Sequence, residues 1–332
     1  MTRLDIKPTI PVTEYRQRWY KVQAMMAEQQ LDFLAAYADD RAVFGPAHAR
    51  WLANFPVHFE PVCILMPAQG DPLMLVGPES DEYARLAGQI ADVRVLQEFT
   101  HPDEDYPYSR IQSLAEIMAE TGTNLESVRR VGLGGGGLMG AAILAAFQAA
   151  LPGVTWVDVE NRLCELRAQK SAAELEVIRF AYQIAEAGFE AAVAAIQVGV
   201  TEREVAAEIE TAMRRAGAEG TGIDTIVASG PNSRPILARS TFRPIQANEL
   251  VLLTIAPRYE GYHAAIGRPV LVGQPAEEIR QALEVAIKAQ ETCSQALRPG
   301  VEGRAVEAIG RQIVAAGGLE PYFLYSGVHS VG

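Results

Sequence analysis

Apolar residues at Leu175, Ile178, Tyr182, Ala185 and Phe189 recur at helical spacing, which predicts an amphipathic helix with one face turned toward a sheet. A glycine, Gly199, breaks the pattern, and a second helix opens after Thr201. Ser171 stands three residues before Glu174, and Thr201 three before Glu204. Each helix therefore starts with a capping box in which side chain and backbone satisfy one another. The same template then returns. Residues 176–219 and 277–320 align without gaps at an offset of 101 and agree at 14 of 44 positions, among them Ile178/Ile279, Arg179/Arg280, Gly199/Gly300, Val205/Val306 and Gly217/Gly318. Chance alanine matches would not preserve the glycines that end helices, so the pattern predicts a duplicated fold.

After the first copy, residues 223–229, 249–257 and 262–272 read as strands, the last two joined across Arg258-Tyr259-Glu260-Gly261 as a hairpin. The second copy is followed by only twelve residues, from Pro321 to Gly332, so the pattern predicts a sequence cut short, with a sheet left incomplete at its C-terminal end. The first half alternates differently. A helix over 13–27, a buried strand over 31–37 and a hairpin of 63–66 with 72–76 are followed by strands at 93–96 and 154–159 and helices at 111–120 and 141–151. That is a mixed α/β layer. The boundary between the halves falls near Gln169-Lys170, giving domains at 1–168 and 169–332.

Composition narrows the classes. With 49% apolar and 21% charged residues the chain is an ordinary globular one, and no apolar run reaches the length of a membrane span. The start of the chain lacks the form of a signal peptide, so a cytoplasmic location is expected and no membrane partner. A net charge of −12 without a basic cluster argues against nucleic acid. Cys63, Cys164 and Cys293 lie far apart within apolar or helical patterns, which predicts reduced core thiols.

One motif invites a cofactor. Gly132-Leu133-Gly134-Gly135-Gly136-Gly137 fits G-x-G-x-x-G between a strand and a helix, with Asp158 at the end of the next strand. Against a dinucleotide site, Arg129 and Arg130 enter what should be a buried strand, and no further βα units follow Asp158. A flexible turn is the reading preferred, and no cofactor is expected. His48 and His58, flanking Trp51 and Phe55, read as packing residues, and the His101-Pro102-Asp103-Glu104-Asp105 stretch as a solvated loop.

Several stretches resemble the creatinase, prolidase and aminopeptidase P family. They are Lys170-Ser171-Ala172-Ala173-Glu174, the run from Ile223 to Asn232 (IDTIVASGPN), Gly261-Tyr262 with Arg268, and Val328-His329-Ser330-Val331-Gly332. The resemblance implies an N-terminal creatinase-type α/β domain followed by a duplicated pita-bread (α+β) domain. In metal-dependent members it further implies five metal ligands, aspartates where this chain has Thr254 and Ala265, a histidine at His329 and two glutamates that would lie beyond Gly332, and a further histidine where it has Leu237. Of that set only His329 remains, so no metal ligands are assigned and a divalent pair is not expected. Creatinase is the family precedent for C–N hydrolysis without metal, but it places a histidine at the position of Leu237 and a glutamate at that of Gly267.

Strand alternation predicts that His263 and Gly267 share a face with position 265, with Thr254 and Ala256 opposite. His263 and His329 are the expected proton-transfer pair, and Thr254, Tyr262 and Arg268 the expected substrate contacts, with bracing of the hairpin an alternative for Arg268. The function expected is that of a family hydrolase acting on the C–N bond of a small-molecule or peptide substrate without a working dimetal site. Two alternatives stand beside it: a non-catalytic module binding a peptide or partner in the same groove, and a metal-dependent Xaa-Pro peptidase drawing ligands from Asp224 or Glu260. A homodimer is left open.

Overall fold

The computed structural model describes residues 7–122, 125–325 and 327–329. Two compact units divide the chain inside one long helix, the first running to Val177 and the second from Ile178. In the first unit, helix α1 (Val12–Glu28) buries Tyr15, Trp19, Val22 and Met26 along one stripe. Strand β1 (Phe33–Ala38) follows, then α2 (Ala47–Ala53), the β2 (Val62–Pro67) and β3 (Leu73–Val76) hairpin, and α3 (Asp81–Ala87). Next come β4 (Asp92–Leu96), β5 (Ile111–Gln112), α4 (Leu114–Glu120), β6 (Arg130–Gly134), α5 (Ala141–Ala150), β7 (Thr155–Asp158) and α6 (Glu160–Ala168). The strands form one sheet in the order β5-β4-β3-β2-β1-β6-β7. β1 runs antiparallel to β2 and parallel to β6, so it lies inside the sheet, and all six of its residues are buried. A near-continuous apolar run, FLAAYA, is what a strand covered on both faces requires.

Two buried charged side chains of this unit, Arg18 and Glu60, are hydrogen-bonded. Arg18, 2% exposed, bonds Glu14 at 2.5 Å, Glu174 at 3.2 Å and the Trp51 carbonyl at 2.8 Å. Its guanidinium also lies 5.0 Å from the Tyr15 ring and 5.3 Å from that of Trp51. The buried carboxylate of Glu60 accepts the amides of Glu79 and Ser80, which open α3.

The second unit begins within α7 (Ala172–Ala195), whose start carries the Ser171–Glu174 capping box predicted from sequence. α8 (Glu202–Ala216) carries the second box, on Thr201 and Glu204. Strands β8 (Gly220–Thr221), β9 (Ile226–Ser229), β10 (Glu249–Ile255), β11 (Pro257–Tyr259), β12 (Tyr262–His263) and β13 (Ile266–Val272) form two three-stranded sheets, β13-β10-β9 and β12-β11-β8. The repeat follows as α9 (Glu277–Ala296) and α10 (Gly303–Ala316). Gly199 and Gly300, the paired glycines of the repeat, both sit at positive φ, 92° and 84°. That shared backbone state explains why both copies keep glycine there. Among the described residues no helix is long and apolar enough to cross a membrane.

The predicted hairpin is present with two corrections. Its turn is the two-residue Glu260-Gly261, both at positive φ, so Arg258 and Tyr259 are strand residues rather than loop. Each arm is also split. Pro257 has no N–H to give to the ladder, which separates β10 from β11. The register nonetheless runs through: Glu249↔Val272 to Ile255↔Ile266, a bond from the Ala264 amide to the Pro257 carbonyl at 3.2 Å, then Arg258↔His263 and Tyr259↔Tyr262.

Candidate functional site

One register sorts the hairpin's side chains into two faces, because antiparallel partners point the same way and direction alternates along each strand. Val251, Leu253, Ile255, Pro257 and Tyr259 are buried on one face, where Tyr259 packs 4.6 Å from the Phe180 ring of α7. The other face carries Thr254 opposite Gly267, then Ala256 opposite Ala265, then Arg258 opposite His263. Thr254, Ala265, Gly267 and His263 thus share a face, as alternation predicts. His263 lies two rungs from Thr254, roughly 13 Å along the strand.

Two expected substrate contacts fall elsewhere. Tyr262 pairs with Tyr259 and Arg268 with Leu253, so both belong to the face opposite Thr254. They cannot line one pocket with it, because a change of one position reverses the face. The Arg268 guanidinium bonds the neighbouring Gly267 carbonyl at 2.8 Å, a bracing contact. His263 is half-buried, its ring packed against Gly222, and its Nε2 is buried without a hydrogen-bond partner. Burial, and next the charge of Arg258, hold its pKa below the ordinary histidine range, partly opposed by Glu219. His329 is exposed near the end of the described residues.

The segment 230–241 crosses the strand face next to Thr254. Its Ala238 closes a small buried cluster with Ile226 and Ala228, and Ile226 is the β9 partner of Thr254. Its tip exposes Ile236 and Leu237. Both ends of the segment are held by Glu202, which is fully buried (0% exposed) in the first turn of α8. One carboxylate oxygen accepts the Ser229 amide and hydroxyl, each at 2.7 Å. The other accepts the Asn232 side-chain amide at 2.8 Å, the Thr241 amide at 2.9 Å and its hydroxyl at 2.7 Å. Desolvation alone would raise the Glu202 pKa, but the hydrogen bonds from Thr241 and Ser229 together bring it below the usual carboxylate range. Arg243 extends the network, donating to the Ser229 hydroxyl and to both oxygens of Glu249.

Sequence reasoning missed Glu202 and Arg258. Arg258 was masked by reading a four-residue turn, since Glu-Gly is a weaker turn signal than Asn-Gly. Glu202 looked like one more acidic residue in a first helical turn; only the fold brings Ser229, Asn232 and Thr241 to it. Asp224, a conditional metal ligand, instead faces Arg239 at 3.3 Å on the surface. Among the described residues no three His, Cys, Asp or Glu side chains converge as a metal group.

The glycine-rich turn of the first unit takes a definite role. β6 is a parallel strand between β1 and β7, so the arginine objection drawn from sequence does not hold; Arg129 precedes the strand and Arg130 begins it. The Gly135 N–H donates to Glu160 at 2.6 Å, and Glu160 also meets buried His48 at 3.0 Å. The His48 hydrogen bond, foremost, holds the Glu160 pKa at about 2. Gly135 itself has φ 72°, and a Cβ there would collide with the Tyr37 carbonyl oxygen. Gly135→Ala is expected to destabilise the first unit by more than about 1 kcal/mol, through clash and left-handed strain together. A urea titration followed by tryptophan fluorescence checks this, and an unchanged midpoint would remove the constraint. His48 is a packed, bonded residue, as read from sequence. His101 stacks on Phe59 at 5.2 Å and is not a cation ligand among the described contacts. Cys63 is buried, which raises its thiol pKa strongly, whereas Cys164 is exposed on α6, contrary to the expectation of a core thiol.

Comparison with known proteins places this architecture. Residues 18–169 match the Creatinase/Prolidase N-terminal domain, and residues 176–332 match Metallopeptidase family M24. The Xaa-Pro dipeptidase of Pyrococcus furiosus is 34% identical over 174 residues, covering 52% of this chain and 50% of that protein. The uncharacterized peptidase YqhT of Bacillus subtilis is 32% identical over 188 residues, 57% of this chain and 53% of that one. The chain thus spans about half the length of the curated relatives it matches. Among solved structures, the prolidase from Pyrococcus horikoshii superposes with a TM-score of 0.77 at 23% identity, over 95% of this chain and 82% of that one. Dipeptidase PepE from Mycobacterium ulcerans gives 0.76 at 24% identity, over 98% and 82%. With both halves matched in sequence and the whole architecture matched in fold, the chain belongs to the creatinase/prolidase/aminopeptidase P family and carries its N-terminal and pita-bread domains.

Proposed function

We propose that this chain is an Xaa-Pro peptidase/creatinase-family hydrolase acting on the C–N bond of a small amide, amidine or Xaa-Pro peptide without a divalent pair. One observation carries the reading. The two middle rungs of this strand face offer a hydroxyl (Thr254), two methyls (Ala256, Ala265) and no side chain (Gly267), and none is an anionic oxygen. Hard divalent cations are held by carboxylates, so these residues do not fit a metal pair. Proton transfer then falls to imidazole, with His263 and His329 as the available groups and the Thr254 hydroxyl as a polar contact. With Nε2 of His263 buried, exchange at that ring runs through Nδ1. Its lowered pKa keeps the ring neutral at neutral pH, the form that accepts a proton.

The same packed ring favours a second reading, a peptide-binding module without turnover, since a histidine held against Gly222 also serves as strand packing. Hydrolysis of Xaa-Pro dipeptides and small amides, measured with and without chelator, separates them. The first reading predicts chelator-resistant turnover that falls about a hundredfold in His263→Ala or His329→Ala. Ligand affinity without turnover in any form would leave the module, and turnover abolished by chelator would sink both.

A further inference from the structure

The small sheet sets Gly220, Arg258 and His263 in one row, with Arg258 paired to Gly220 on one side and to His263 on the other. Position 220 has no side chain, and guanidinium groups border the space. Arg258 Nη2 lies 3.3 Å, and Arg214 Nη2 3.7 Å, from the point where a Cβ on residue 220 would stand. Two cations therefore converge on a gap that one methyl group would occupy. Their remaining contacts orient them: Arg214 donates through Nη1 to the Glu219 carbonyl, and Arg258 Nε lies 3.5 Å from the Glu219 carboxylate. Neither Nη2 has a hydrogen-bond acceptor among the described residues.

The gap adjoins a cavity of about 490 Å³ lined in part by Glu210, Thr211, Arg214, Arg215 and Thr221. Arg215 has no ion pair among the described residues. Three arginines thus stand against two glutamates, Glu210 and Glu219, in a chain whose net charge is −12. We infer that the recess over Gly220 binds a small oxyanion, the carboxylate or phosphate group of a small molecule, between Arg214 and Arg258. Planar guanidinium forks match the oxygens of either group, and the Thr211 and Thr221 hydroxyls can add donors from the cavity wall. The site rests on α8 and the β8–β11 pair, so it does not depend on what the Thr254 rungs do.

Calorimetric titration of the full chain with inorganic phosphate, and separately with acetate, at an ionic strength fixed by chloride, tests this. Saturable binding to one site is expected, and whichever anion binds identifies the group. Arg214→Gln and Gly220→Ala should each weaken it at least tenfold. Residue 220 is outside the left-handed region, so alanine fills the gap without backbone strain. No saturable binding of either anion, or unchanged affinity in both variants, overturns the site. Should a variant fail to fold, proton NMR of the His263 ring on the unaltered chain decides instead. An anion beside Arg258 offsets the charge that, after burial, depresses the His263 titration midpoint, so saturating anion must move that midpoint upward. A midpoint that stays in place contradicts the inference.

Discussion

Glu202→Ala is expected to destabilise the second unit by about 3–5 kcal/mol, because five donors lose their acceptor, those of Ser229 in a fully buried position. The loss is not confined to α8. Ser229 and Thr241 bound the segment 230–241, so hydrogen exchange at those amides should rise before exchange in α7. Glu202→Gln preserves volume but turns an NH₂ toward donors, and an intermediate loss is expected. The pH dependence has a fixed sign. A carboxylate whose folded pKa lies below its ordinary 4.5 stabilises the fold above that value, and the contribution fades as pH falls through the depressed pKa. The acid limb of a stability–pH profile should therefore be shallower in Glu202→Gln. An alanine variant with wild-type stability and unchanged exchange at 230–241 would show that the segment is held by other means.

Arg18→Met is expected to be comparably damaging in the first unit, at about 3–5 kcal/mol. The substitution keeps an apolar stem between Tyr15 and Trp51 but takes the Arg18 cation away from the Glu14 and Glu174 carboxylates, 13% and 6% exposed, which keep their bonds from Ser171 and Trp51. Removing a buried cation from beside two carboxylates costs more than a lost contact. Replacing all three charges together with apolar residues of similar volume should recover much of the loss, since the burial of the triad itself has little net effect. Chemical denaturation of the single and triple variants makes the comparison. A single variant as stable as the parent would mean that water reaches those carboxylates.

The legibility of this chain in its sequence follows from how local each signal is. Capping boxes at Ser171 and Thr201 are statements about residues three apart, and both are present as read. The repeat was readable because Gly199 and Gly300 answer the same backbone demand. Alternation along the hairpin placed His263 with Thr254 correctly, since the register survives Pro257. It was not applied to Tyr262 and Arg268, which the same parity sends to the other face. What could not be read is long-range: Glu202 reaches residues up to 39 positions away, and Gly135 is met by Glu160 from 25 positions downstream. Neither distance leaves a mark on local composition.

We propose that the strand face with Thr254 and Ala265 at its middle rungs holds no pair of divalent cations. Elemental analysis of the purified chain, expressed in medium supplemented with manganese, cobalt and zinc and then dialysed, addresses it most directly. Well under one equivalent of any divalent metal per chain is expected, unchanged in Thr254→Ala. Two tightly held equivalents, accompanied by Xaa-Pro cleavage that chelation abolishes, would contradict it.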